Sequence, residues 1–103
     1  MSLEIEKDAI YLVNVGDEHI LDAPLTDERE RVVVTAPDAI QQSVTYGTVA
    51  KDYANDDYTQ VPVASIFLTP TTAGHHPISI ERRLGDAVLE AISFVYEAEN
   101  PQR

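Results

Sequence analysis

From Ser43 to Leu68 the chain is dense in valine, threonine and tyrosine, interrupted by a polar tip at Asn55-Asp56-Asp57. β-Branched and aromatic side chains suit a pleated, half-buried surface, so the stretch predicts one long β-hairpin with arms Ser43–Tyr53 and Tyr58–Thr69. Gly47 in the first arm and Pro62 in the second weaken a hydrogen-bonded ladder and predict a bulge or an edge position. A chain that commits so much of itself to one hairpin is expected to be mainly β.

The flanking segments extend this pattern. Ile10-Tyr11-Leu12-Val13-Asn14-Val15 ends at Gly16-Asp17-Glu18 and resumes as His19-Ile20-Leu21, which predicts a first hairpin. Asp22 to Glu30 is polar and reads as a loop, with Thr26 as the N-cap if a helical turn forms. Arg31-Val32-Val33-Val34-Thr35-Ala36 predicts a buried strand stopped by Pro37-Asp38, and Ala39-Ile40-Gln41-Gln42 is too short to type. Pro70 to Pro77 is loop-like in composition, and Ile78-Ser79-Ile80 predicts a short strand.

The end of the chain reads differently. Leu84, Val88, Ala91, Ile92 and Val95 recur at helical spacing opposite Glu90, Ser93 and Glu97, which predicts an amphipathic helix over Gly85–Ala98, stopped by Asn100-Pro101. A strand over Ser93–Glu97 is the alternative, because β-branched and aromatic residues concentrate there. The expected fold class is therefore mainly β (α+β): a small antiparallel sheet or barrel of about six strands with one C-terminal helix. At 103 residues, one domain spanning 1–103 is expected.

Composition narrows the partners. The 18 acidic residues face only 7 Lys and Arg, for a formal charge of −11, with no basic cluster larger than a pair. Such a surface repels phosphate backbones and anionic lipid, so neither nucleic acid nor a membrane surface is an expected partner. The absence of cysteine excludes disulfides and thiolate metal sites. Met1 to Asp8 carries four charges without an apolar core, unlike a signal peptide, so a cytoplasmic (or virion) location is expected. The surplus of acid over lysine resembles proteins of salt-adapted archaea and their viruses, whose self-repulsion is screened once the Debye length falls to roughly 3 Å at 1 M salt.

Few residues suggest chemistry. His75-His76, with His19, are the candidate metal ligands, since neutral imidazole binds zinc and carboxylates could complete a site. Adjacent histidines point in different directions, however, and a solvated loop is the simpler expectation. Asp56-Asp57, Asp17-Glu18 and Asp27-Glu28 lack the alternation of a calcium loop. There is no nucleophile elbow, and Gly16, Gly47, Gly74 and Gly85 are too isolated to cradle phosphate. No cofactor is expected.

Tyr46, Tyr53 and Tyr58, with Phe67, cluster by sequence on the long hairpin and are the candidate partner-binding residues, with cross-strand packing as the competing role. These features predict a non-enzymatic structural or protein-interaction module, part of a homo-oligomer or larger assembly such as a capsid-decoration or tail protein. The alternative is a small-ligand or metal-binding module, or enzyme subunit, using His75 and His76 with carboxylates.

Overall fold

The computed structural model describes residues 8–101. The reading of the N-terminal segment falls, Asp8 apart, outside the described residues. Seven strands form two sheets: β1 (Ile10–Asn14), β2 (His19–Pro24), β3 (Arg31–Thr35), β4 (Ile40–Asp52), β5 (Asp57–Pro70), β6 (Gly74–Leu84) and β7 (Ala87–Glu99), with a 3-10 turn at Tyr53–Asn55. One sheet has the order β1-β7-β6-β3 and the other β2-β5-β4. All neighbours are antiparallel except β1 and β7, which run parallel.

The mainly β expectation holds, and its finer parts need correction. Two facing sheets replace the single sheet or barrel. The predicted helix over 85–98 is a strand. Along β7 the residues Phe94, Tyr96 and Ala98 are buried in alternation, which is the two-residue period of a sheet. The helical spacing of Leu84, Val88 and Ala91 was coincidental, since Val88 and Leu89 are exposed. Leu84 and Ala87 close the β6–β7 hairpin across Gly85-Asp86, with Gly85 at φ 60°, a left-handed conformation that glycine adopts at little cost in a two-residue turn.

The expected first hairpin does not form either. After the turn at Gly16 the chain crosses between layers, so β1 pairs with β7 and β2 with β5. The segment 70–77 is mostly strand, because β5 runs to Pro70 and β6 begins at Gly74. Pro62 lies in the central strand of its sheet, not at an edge. It sits one residue beyond the last β2 pair, Pro24↔Val63, and its carbonyl accepts from Leu25 N (3.0 Å). Its missing N–H therefore faces the side where β2 has ended, and the ladder to β4 is kept.

The core lies between the layers. Ala64, Ile66 and Leu68 of β5 pack against Ile78 and Ile80 of β6 and Phe94 and Tyr96 of β7, with Val13, Ala23, Val32 and Ile40 completing the cluster. Phe94 meets Tyr11 edge-on at 6.0 Å and Tyr96 at 5.4 Å. One charged side chain is fully enclosed: Glu30 is 0% exposed, and its carboxylate accepts from Thr26 N (2.8 Å), the Thr26 hydroxyl and Arg82 Nη1. Arg82 also faces Glu90 at 3.5 Å.

Candidate functional site

Strand direction gathers three connections at one end. β2 leaves its sheet at Pro24↔Val63, on the side of β5 nearest the β4–β5 tip. β3 enters at Arg31↔Arg83, beside the β6–β7 turn. The β2–β3 loop, the β4–β5 tip and the β6–β7 turn thus share one face of the sandwich.

The β2–β3 loop is tied down internally. Arg29 donates to Asp27 from its backbone N–H (2.8 Å) and its guanidinium (2.8 Å), and these bonds pull the Asp27 carboxyl down to about 2. Glu30 anchors the same loop to β6 through Arg82. Burial pushes the Glu30 carboxyl up, and the hydrogen bonds from Thr26 and Arg82 more than offset that, holding it below the usual carboxylate range. Thr26 is therefore the partner of Glu30, not the cap of a helix.

The tip is the most exposed part of this end. Tyr53 is 75% exposed and Tyr58 is 56% exposed, and their rings meet edge to face at 5.5 Å. Asp56 turns the chain at φ 60°, its N–H bonded to Tyr53 O, and its carboxylate accepts from the Tyr58 hydroxyl (3.0 Å). Asn55 donates to Asp52 (2.8 Å). Hydrogen bonds from Thr59 hold the Asp57 carboxyl below its ordinary value. Gln41 to Asp52 carries no fully buried residue, and on the facing arm none is buried from Asp57 to Pro62, so the outer half of the hairpin stands clear of the core that Val44, Ala64, Ile66 and Leu68 join.

The four aromatic candidates do not form one surface. Tyr53 and Tyr58 come together at the tip. Tyr46 pairs with Ala64 on the inner side and reaches across the sandwich, where its hydroxyl accepts from Val32 N (2.9 Å) and its ring lies under the Arg31 guanidinium at 4.8 Å. It closes the β3/β4 side of the two layers. Phe67 is half-buried on the outer face of the three-stranded sheet, between Ile20 and Ser43. Replacing Tyr46 with phenylalanine should leave Val32 N–H unpaired and lower stability by about 1 kcal/mol in chemical denaturation, with the tip unaffected.

The histidines diverge as well. His75 lies on the outer face, its Nδ1 2.7 Å from Glu97. His76 is buried and its Nε2 donates to Thr72 O (2.8 Å). His19 stacks at 5.4 Å on Tyr96. No three His, Asp or Glu among the described residues are placed to hold one metal ion. Nor is any helix among them long and apolar enough to cross a membrane.

Two features went unread in the sequence. The Glu30–Arg82 pair joins residues 52 positions apart and has no local signal. The exposure of Ile10 and Leu12 follows from strand parity, which turns Tyr11 and Val13 to the core and these two to the outer face.

No family model matches the chain, and no curated protein matches it in sequence. Solved structures similar to it in shape include the following two. One is the crystal structure of a cysteine protease inhibitor from Entamoeba histolytica, with a TM-score of 0.68 and 13% identity over 91% of this chain and 88% of that one. The other is the solution structure of amebosin, with a TM-score of 0.56 and 19% identity over 90% of each chain. At these identities the likeness is one of fold.

Proposed function

We propose that this chain is a non-enzymatic protein-binding domain that presents the β4–β5 tip, flanked by the β2–β3 loop and the β6–β7 turn, to a cleft in its partner, and that the partner is a cysteine protease. The observation that carries the reading is the tyrosine pair on a hairpin projecting from a rigid frame. Tyrosine gives large, stiff, amphipathic contact area at low entropic cost, and aromatic residues dominate binding energy at interfaces. Internal hydrogen bonds at Asp56 and Asn55 reduce the ordering cost of docking. The protease class comes from the shape likeness to the Entamoeba histolytica inhibitor.

The test is the inhibition of a panel of cysteine proteases, followed by progress curves. The native chain should inhibit at least one member, and Tyr53→Ala with Tyr58→Ala should weaken that inhibition by about 30-fold or more, since an aromatic hot spot is worth at least about 2 kcal/mol. The double variant should melt with the native chain, because both side chains are exposed. An inert native chain would overturn the protease assignment. Equal inhibition by the variant would overturn the tip.

A second reading is favoured by the 13-residue edge strand β4. Long unpaired edges template pairing, so the chain would join a second copy or a larger assembly, such as a virion in a salt-rich setting. Light scattering at low and multimolar KCl decides it: a defined oligomer supports assembly, and a monomer at both salts removes it.

A further inference from the structure

We propose a second binding surface, separate from the loop end: the free edge of β1 takes up an extended segment of another protein, apolar at its centre and flanked by lysine or arginine, as a fifth strand of the four-stranded sheet.

Backbone direction supplies the ladder. Val95 N donates to Ala9 O and Val15 N to Glu99 O, so by the alternation of a strand residues 9, 11, 13 and 15 turn toward β7. The N–H and C=O groups of Ile10 and Leu12 point the other way, along an edge that no described strand pairs with. The same two residues carry exposed apolar side chains, at 62% and 76%, and Leu12 is the most exposed large apolar residue among those described. An added strand would satisfy the backbone groups and set its own outward apolar side chains beside these two as cross-strand neighbours.

The two sides of the sandwich differ. On the β3/β4 side Tyr46 bridges the layers. On the β1/β2 side a pocket of about 300 Å³ opens between Tyr11, Leu12, Val13, Ile20, Leu21 and Tyr96, with His19 as its imidazole lining. Alternate side chains of a strand lying along β1 would point toward this opening, which has room for one large apolar group.

Charge selects the occupant. Among the described residues every lysine and arginine lies toward the loop end: Arg29 and Arg31 at the β2–β3 loop, Lys51 near the tip, Arg82 and Arg83 beside the β6–β7 turn. Around the β1 edge stand the exposed Asp8, Asp17, Glu18 and Glu99; in the sequence Lys7 and Arg103 are the nearest bases and Glu4 and Glu6 further acids, so the balance is negative. A second copy would set these carboxylates against their equivalents, in a chain of charge −11. Basic flanks on a different protein match them, which also sets this surface apart from β4.

The probe is a fluorescent, end-blocked peptide of about ten residues, alternating valine and threonine with two lysines at each end, titrated with the full chain by anisotropy. Saturable binding is expected, weakening as salt rises. Leu12→Pro should reduce it at least about tenfold, because proline removes an edge N–H that β7 does not use. Should Leu12→Pro fail to fold, Leu12→Asp serves: it adds negative charge, so weaker binding by this variant separates strand addition from bulk attraction. Tyr53→Ala should bind as the native chain does. The idea is overturned if the peptide does not saturate, if the Leu12 variants bind equally well, or if a glutamate-flanked peptide of the same core binds as tightly. Dimers that form through β1 and are abolished by Leu12→Asp would also overturn it, assigning the edge to a second copy.

Discussion

Arg82→Met is expected to cost about 3 to 5 kcal/mol of stability near neutral pH, the usual penalty for stranding one member of a buried ion pair. Glu30 is wholly enclosed and Arg82 is 12% exposed, so neither charge can turn to water. The dependence on pH gives the result its signature. In the native chain the Glu30 carboxyl sits below its ordinary value of 4.5, so its contribution is present above that value and is lost as pH falls through the folded one. Without Arg82 its hydrogen bond and its charge no longer hold the Glu30 carboxyl down, so the folded value moves up and the buried group takes its proton at a higher pH than in the native chain. The gap between native chain and variant should therefore narrow as pH falls from neutral into the acid range in urea unfolding. A gap that stays constant would show that the pair does not govern stability. Adding Glu30→Gln to Arg82→Met should restore a good part of the loss at neutral pH, because it removes the stranded charge.

Phe94→Ala is expected to be equally severe, at about 3 to 5 kcal/mol, since the ring is 2% exposed and sits between Tyr11 and Tyr96. Val88→Ala, on a side chain 48% exposed, should fall within about 0.5 kcal/mol of the native chain. A helix over 85–98 predicts heavy loss at Val88, so thermal melts of the two variants separate the architectures. Comparable losses at both positions would contradict β7 as described.

The long hairpin was legible because β-branched density and a polar tip are local signals, and its tip does bring Tyr53 and Tyr58 together. Tyr46 and Phe67 belong to the same run, yet strand parity sends Tyr46 across the β3/β4 side toward the other sheet and Phe67 to the outer face, and parity depends on a register that composition does not reveal. The last strand was misread because Leu84, Val88, Ala91 and Ile92 fit a helical period, while the better signal was the Gly85-Asp86 turn between two apolar runs. The first hairpin was misread for a different reason. A glycine turn marks a reversal, and it does not say whether the next strand stays in the same sheet. Glu30 and Arg82 meet only through tertiary structure, so neither stands out among so many charges.

The parallel pairing of β1 with β7 bears on how the molecule assembles. Among the described strands β1 pairs only with β7, and residues 15–86 form the loop that this pairing closes. Little of that loop entropy is recovered until the late strand is in place. Synthesis must therefore deliver residues through Glu99 before the four-stranded sheet can be completed, and such long-range pairing places this molecule among slow folders, with millisecond-to-second formation on the order of other all-β sandwiches. Until β7 emerges, the tyrosine hairpin, built from neighbouring residues, is the part best able to form by itself.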